Sequence, residues 1–207
     1  SNLAGVLAQL TAQYPATKQR IEEYLGKIVP GIRSVEHRVL GPKETLEFGQ
    51  VVAGAEYPWR FLAANMSDGT LRALGVLVAL LQSGDGNGAG PSVPLVGIEE
   101  PELALHPAAA GVLIDCLREA SRATQVLVTS HSPDLLDNPH LDTDAILAVE
   151  AAAGVTTIGR LDEAGKSAMR DRLFTAGELL RLNQLAPDPA ARQISDRQLH
   201  LFDKGDA

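Results

Sequence analysis

Leu95-Val96-Gly97-Ile98-Glu99-Glu100-Pro101-Glu102 decides the fold of this 207-residue chain. An aliphatic run of strand length ends in two adjacent carboxylates, and a third follows a proline. Pro101 lacks a backbone donor and pushes Glu100 out of the α region, so the strand stops there. Continuous aliphatic runs mark buried parallel strands, and open α/β sheets hold ligands at the carboxyl ends of such strands. Two neighbouring carboxylates repel each other and need a cation or a proton between them. Taken alone, the same stretch also fits a strand ending in a solvated acidic turn.

The flanking stretches decide between these readings. Upstream, Met66-Ser67-Asp68-Gly69-Thr70-Leu71-Arg72 opens a helix over 69–82 that is apolar almost all round, the pattern of a buried helix. Ser67 or Asp68 can cap it, Gly69 lets another backbone approach, and a helix N-terminus attracts anions. Downstream, Leu103-Ala104-Leu105-His106-Pro107 leads into a helix reaching about residue 122, with Pro107 at its first position. A second aliphatic strand, Gln125–Thr129, runs into Ser130-His131-Ser132-Pro133. Strand, helix and strand predict a parallel βαβ unit, with His131 emerging at the sheet edge that carries Glu100.

In this order and spacing, the four stretches resemble the signature motif, Walker B, D-loop and switch histidine of ABC-class ATPases. The likeness is nearest to the AAA-type ATPases of the RecF, OLD and SMC group. It implies an α/β fold, the C-terminal lobe of an ABC-class P-loop ATPase, with parallel core strands and flanking helices. It also implies ATP and Mg²⁺ as cofactors. Glu99 would hold the metal through water, Glu100 would polarise the attacking water, and His131 would contact the γ-phosphate. Ser67, Asp68, Gly69 and Thr70 would complete a nucleotide site held by the opposite subunit, and Leu105 and His106 would lie in the D-loop facing that partner. Asp68 stands where transporters of the class carry glycine, and it resembles the RecF/OLD variant. The implied assembly is an ATP-dependent head-to-tail homodimer.

The phosphate-cradling pattern Gly-x-x-x-x-Gly-Lys-Ser/Thr, expected ahead of Walker B, does not occur in the sequence. Gly159…Gly165-Lys166-Ser167 comes nearest, but it has five intervening residues, carries Asp162 and Glu163, and follows Walker B. The resemblance therefore covers nearly the whole chain but only the C-terminal half of the family's domain, and the sequence reads as a fragment. Residues 1–185 are expected to form the lobe and 186–207 a polar, mobile tail. The glycine-rich stretch 84–91 reads as a linker. Two other classes fit some of the residues. Glu99, Glu100, Glu102, His106 and His131 could serve a metal-dependent hydrolase or nuclease, and the chain could be a non-catalytic module that docks a Walker A-bearing chain.

The remaining sequence sets the frame. A net charge of -8 argues against a broadly cationic face for nucleic acid, leaving room only for a local basic groove. No apolar run approaches the ~20 residues of a membrane span, and the start lacks a signal-peptide pattern. A single cysteine, Cys116, excludes an internal disulfide and fits a reducing cytoplasm. Apolar periodicity predicts two helices within 1–28, with Glu22 and Glu23 solvated. Extended segments over 32–40 and 45–53 should pair antiparallel, with His37 at the surface and Trp59 and Phe61 following as core. Asp115, Arg118 and Glu119 should face water. A hairpin over 145–149 and 155–161 turns near Gly154, followed by short helices over 167–172 and 177–182.

Overall fold

Pro15, with its φ fixed for a first helical turn, starts a second helix directly behind the first in the computed structural model of the protein. The structure describes residues 2–83, 93–103, 105–139 and 141–191. The chain divides into two compact units, with the boundary between His131 and Ser132.

The first unit begins with α1 (Asn2–Gln13) and α2 (Pro15–Ile28). They cover one face of an antiparallel sheet of β1 (Ile32–Leu40), β2 (Lys43–Gln50) and β3 (Trp59–Leu62), in that order. Leu40 pairs with Lys43 across a two-residue loop whose first residue, Gly41, has φ +59°, a conformation glycine adopts without strain. Leu7, Leu10, Ile21, Leu25, Val35 and Phe48 close the core between helices and sheet. β3 corrects one expectation. It is an edge strand, so Trp59 lies across from Gln50 with 55% of its surface exposed and is not core. β2 also stops at Gln50, three residues short of the expected end.

Two carboxylates expected to be solvated instead serve tertiary contacts. Glu22 accepts the Val35 N–H at 2.8 Å, close to where β1 bulges between Ile32 and Ser34, and it pairs with Lys18 at 2.9 Å. Glu119 accepts from the Arg20 guanidinium at 2.6 Å and from the Tyr24 hydroxyl at 2.7 Å. His37 is half-buried, with Nε2 3.6 Å from Glu44.

Next come α3 (Asp68–Leu81), β4 (Leu95–Glu99), a 3₁₀ turn over Pro107–Ala109, α4 (Ala110–Ala120) and β5 (Gln125–Thr129). β4 and β5 pair in parallel, in register from Leu95↔Gln125 to Glu99↔Thr129. The parallel βαβ unit is therefore present, although its helix starts as a 3₁₀ turn and ends two residues early. The strands are not buried on both faces as their composition suggested. Leu95 and Leu127 point to an open face, 54% and 55% exposed, while Val96 is buried. α3, with Leu74, Leu77 and Leu80 fully buried, packs against α2, α4 and β4. Cys116 is buried on α4, and desolvation pushes its thiol up to about 12, so it is an inert filler. The linker reading of 84–91 lies outside the described residues.

In the second unit, α5 (Pro133–Leu136) precedes a hairpin of β6 (Leu147–Ala152) and β7 (Val155–Arg160), then α6 (Glu163–Arg170) and α7 (Ala176–Arg181). α6 starts four residues before its predicted position because Asp162 caps it, accepting from Gly165 N–H at 2.8 Å. Thr175 and Glu178 form a reciprocal capping box on α7. Leu161 pairs with Pro187, and Asp188 donates to the Arg160 carbonyl at 2.8 Å, so the chain is tied to β7 that far. The rest of the expected tail, 192–207, lies outside the described residues.

Two expected outcomes follow from these contacts. The hairpin turn places Ala153 at φ 50° before Gly154 at φ 80°, the backbone of a turn that favours Asn-Gly. Ala153→Asn should stabilise the second unit by about 0.5–1 kcal/mol, read as slower amide exchange in β6 and β7. In the first unit, the Arg20 guanidinium holds the Glu119 carboxyl below its ordinary value of 4.5, aided by Tyr24 and opposed by burial. A depressed carboxyl contributes stability above its unfolded value, and that contribution is lost as pH falls through the folded one. The stability of Glu119→Gln should therefore fall less steeply below pH 4.5 than the parent's in denaturant titrations at stepped pH.

Candidate functional site

Glu99 ends β4 exposed, and the next residue breaks the strand. Glu100 sits at φ 47°, a left-handed conformation that costs an L-residue with a side chain roughly 1–2 kcal/mol. The surroundings hold it there. Its N–H donates to the Thr129 carbonyl at 2.9 Å, extending the β4–β5 ladder by one bond. Its carbonyl accepts from Leu103 N–H at 3.1 Å and from the Arg72 guanidinium at 2.9 Å, and Pro101 behind it is buried. A backbone outlier persists only where its surroundings over-determine it, as these contacts do.

The turn aims the carboxylate at the neighbouring strand end. Glu100 Oε1 lies 2.7 Å from His131 Nδ1, two residues past the end of β5. A carboxylate can only accept, so Nδ1 carries the proton and faces Glu100. The carboxylate is 18% exposed and the imidazole 76% exposed, so the ring reaches into solvent from a sheltered acid. The Glu100 hydrogen bond raises the His131 imidazole above its ordinary value. Burial pushes the Glu100 carboxyl up, but the hydrogen bonds it accepts from the His131 ring and backbone N–H outweigh it and leave the group below the usual range. Glu102 accepts from the Ser130 hydroxyl through one oxygen, while the other is buried without a partner among the described residues.

Ser67, not Asp68, caps α3, its Oγ accepting from Thr70 N–H at 3.1 Å and lying 2.9 Å from the Thr70 hydroxyl. Asp68 is exposed in the first turn, where a carboxylate complements the helix dipole. Gly69 is half-buried and Thr70 buried. His106 caps the 3₁₀ turn, its Nδ1 accepting from Ala108 N–H at 3.2 Å, and Leu105 N–H donates to the Glu102 carbonyl at 3.0 Å. Among the described residues, no three His, Cys, Asp or Glu side chains gather to hold a metal by themselves. An exposed single carboxylate such as Glu99 fits Mg²⁺, which is commonly held by one or two carboxylates together with substrate phosphates. Arg72, which belongs to the 66–72 stretch, has no role in the sequence pattern. Its signal was a lone cation near the start of an otherwise apolar helix.

Residues 7–137, a span that contains all of these groups, match the family described as "AAA domain, putative AbiEii toxin, Type IV TA system". The chain belongs to this AAA-domain family. Among solved structures, the AAA domain is similar to a chain from "Structural biochemistry of ATP-driven dimerization and DNA stimulated activation of SMC ATPases". The TM-score is 0.52 at 18% identity, covering 81% of this chain and 96% of that one. An Smc head domain with an extended coiled coil, bound to the C-terminal domain of ScpA and derived from Pyrococcus furiosus, gives 0.54 at 16% identity. That match covers 81% of this chain and 40% of the other. An SmcHead bound to the C-winged helix domain of ScpA gives 0.51 at 18%, with 77% and 46% covered. The AAA domain thus has the α/β fold of SMC ATPase heads and spans less than half the length of the two ScpA-bound chains. No curated protein sequence matches it. No helix among its described residues is long and apolar enough to cross a membrane.

The strained turn generates a direct test. Glycine adopts positive φ freely, whereas alanine does not. Glu100→Gly should therefore be more stable than Glu100→Ala by about 1 kcal/mol in equilibrium unfolding, the reverse of the usual order in regular structure.

Proposed function

We propose that the chain is the C-terminal lobe of an ABC-class ATPase of the RecF/OLD-like kind, with residues 1–185 as the lobe and 186–207 as its tail. The observation that carries this reading is the 2.7 Å contact between Glu100 and His131, made from the ends of adjacent parallel strands. A base and a charge-stabilising group meet there at the sheet edge where α/β folds bind ligands.

The chemistry follows from those positions. Glu100 orients a water and takes its proton as the oxygen attacks the γ-phosphorus and the bond to the β-phosphate oxygen breaks. Held below the usual carboxylate range, it stays ionised at neutral pH and can accept that proton. His131 has Nδ1 engaged by Glu100 and its ring is 76% exposed, so Nε2 can meet the γ-phosphate oxygens as charge develops. Glu99 would hold Mg²⁺ beside them, and the ion neutralises phosphate charge when bound. Ser67, Asp68, Gly69 and Thr70 at the start of α3 would serve a nucleotide held by a second subunit, with N–H groups and dipole favouring the γ-phosphate. Leu105 and His106 would face that subunit, giving a head-to-tail homodimer closed around two ATP molecules. The description of one similar structure, ATP-driven dimerization of SMC ATPases, supports this assembly. The same description names DNA-stimulated activation, so nucleic acid is a candidate effector, although a net charge of -8 confines any such surface to a local patch. A cytoplasmic location suits the single buried cysteine.

Phosphoryl transfer rests on positioning and electrostatics, so a lobe without the lysine and amides of a phosphate loop should turn over negligible ATP by itself. In protein that includes such a loop, Glu100→Gln should lower kcat by about 10²–10⁴-fold while leaving ATP bound and the dimer trapped. Ser67→Arg should block dimerisation while leaving nucleotide binding intact. Steady-state turnover and sedimentation with and without ATP check both. A Glu100→Gln protein that hydrolyses ATP like the parent, or a Ser67→Arg protein that dimerises like it, would refute the composite site.

A further inference from the structure

Arg72 is the group that these roles leave without a function. It lies in the second turn of α3, exposed, and pairs with no carboxylate among the described residues. Its Nη2 instead donates to two successive main-chain carbonyls of another element, Glu99 at 3.1 Å and Glu100 at 2.9 Å. Those carbonyls belong to the two peptide planes on either side of the Glu100 Cα. The angle between these planes is what φ and ψ of residue 100 describe, and the planes are otherwise rigid. Holding both oxygens on one cation therefore fixes the left-handed conformation of Glu100, at φ 47°. It also fixes the direction of the Cα–Cβ bond that sends the carboxylate to His131. Charge-assisted bonds of this kind are about twice as strong as neutral ones, enough to offset a strained residue.

We infer that Arg72 is a positioning residue for Glu100, tying the aim of that carboxylate to the start of helix α3. The tie has a direction. Ser67 and Thr70 at the head of α3 are hydrogen-bonded to each other, and Arg72 follows within a turn and a half on the same rigid element. A ligand that draws the head of α3 forward or lets it recede moves the guanidinium, and with it both peptide planes. The helix start and the acidic turn are then one mechanical unit. A nucleotide engaged by Ser67 in one active site would set the base of the other site, in the subunit to which Ser67 belongs. This consequence rests on the ATPase reading; the clamp itself does not.

Two measurements separate the clamp from its consequence. In the chain itself, amide exchange at Glu100 and Leu103 reports the turn, because both amides donate within it. Arg72→Ala should speed their exchange by about tenfold with the midpoint of thermal unfolding held to within a few degrees, and Arg72→Lys should restore part of the protection. Unchanged exchange in Arg72→Ala would overturn the clamp, whatever the protein's activity. In the complete ATPase, Arg72→Ala should lower kcat by about 10–100-fold with KM for ATP within about twofold, since misaiming by an ångström costs that much. Added to Glu100→Gln, it should cost nothing further, because the two act as a unit. A kcat equal to the parent's with the turn loosened, or a full additional loss in the double variant, would overturn the coupling. If Glu100→Gln itself leaves turnover unchanged, the ATPase reading fails, and amide exchange alone then decides the clamp.

Discussion

A glutamate is held in a left-handed turn at the end of a parallel strand, and the arrangement of the site depends on that constraint. Leaving β4 at φ 47°, Glu100 does not continue the alternation that exposes Glu99, and its carboxylate crosses to the end of β5. Without the turn, two acids would share one strand end and repel. With it, one carboxylate stays exposed, suited to a hydrated cation, and the other is 18% exposed against an imidazole. A single backbone conformation thus gives two chemically identical side chains different surroundings.

The strain persists because the rest of the first unit over-determines it. The parallel ladder supplies Thr129 as acceptor for Glu100 N–H, and the packing of α3 against β4 brings Arg72 to the carbonyls. α3 is held in turn by its fully buried leucines against α2 and α4, and α2 and α4 are joined through Arg20, Tyr24 and Glu119. Each buried leucine contributes roughly 1.5–3 kcal/mol, comparable to or larger than the cost of the strained residue. The aliphatic core of the first unit therefore stabilises the geometry at its edge.

Much of this was legible in the sequence, for reasons that differ by residue. Helical spacing of Leu7 and Leu10, of Ile21 and Leu25, and the all-round apolarity of α3 carry secondary structure directly. The acidic strand end and His131 were placed together because a short strand–helix–strand segment leaves few alternatives. What escaped depends on tertiary partners. Glu22 and Glu119 look like solvated residues until a bulged strand and an arginine on another helix claim them. Trp59 looks like core until β3 proves to be an edge. Left-handed Glu100 and Ala153 contradict local propensity, and only their surroundings make them so. Arg72 stood in the quoted motif without a role, because its acceptors are backbone carbonyls, which no side-chain pattern announces.

In the proposed mechanism, Glu100 and His131 of one subunit and the start of α3 of the other form one composite nucleotide site. A structure of the complete protein carrying Glu100→Gln, with ATP and Mg²⁺ bound, tests it most directly. The expected result is a γ-phosphate within hydrogen-bond distance, roughly 2.7–3.2 Å, of His131 from one subunit and of Ser67 Oγ or its following amides from the other. A γ-phosphate bound away from His131, or a dimer with both α3 starts facing solvent, would contradict it.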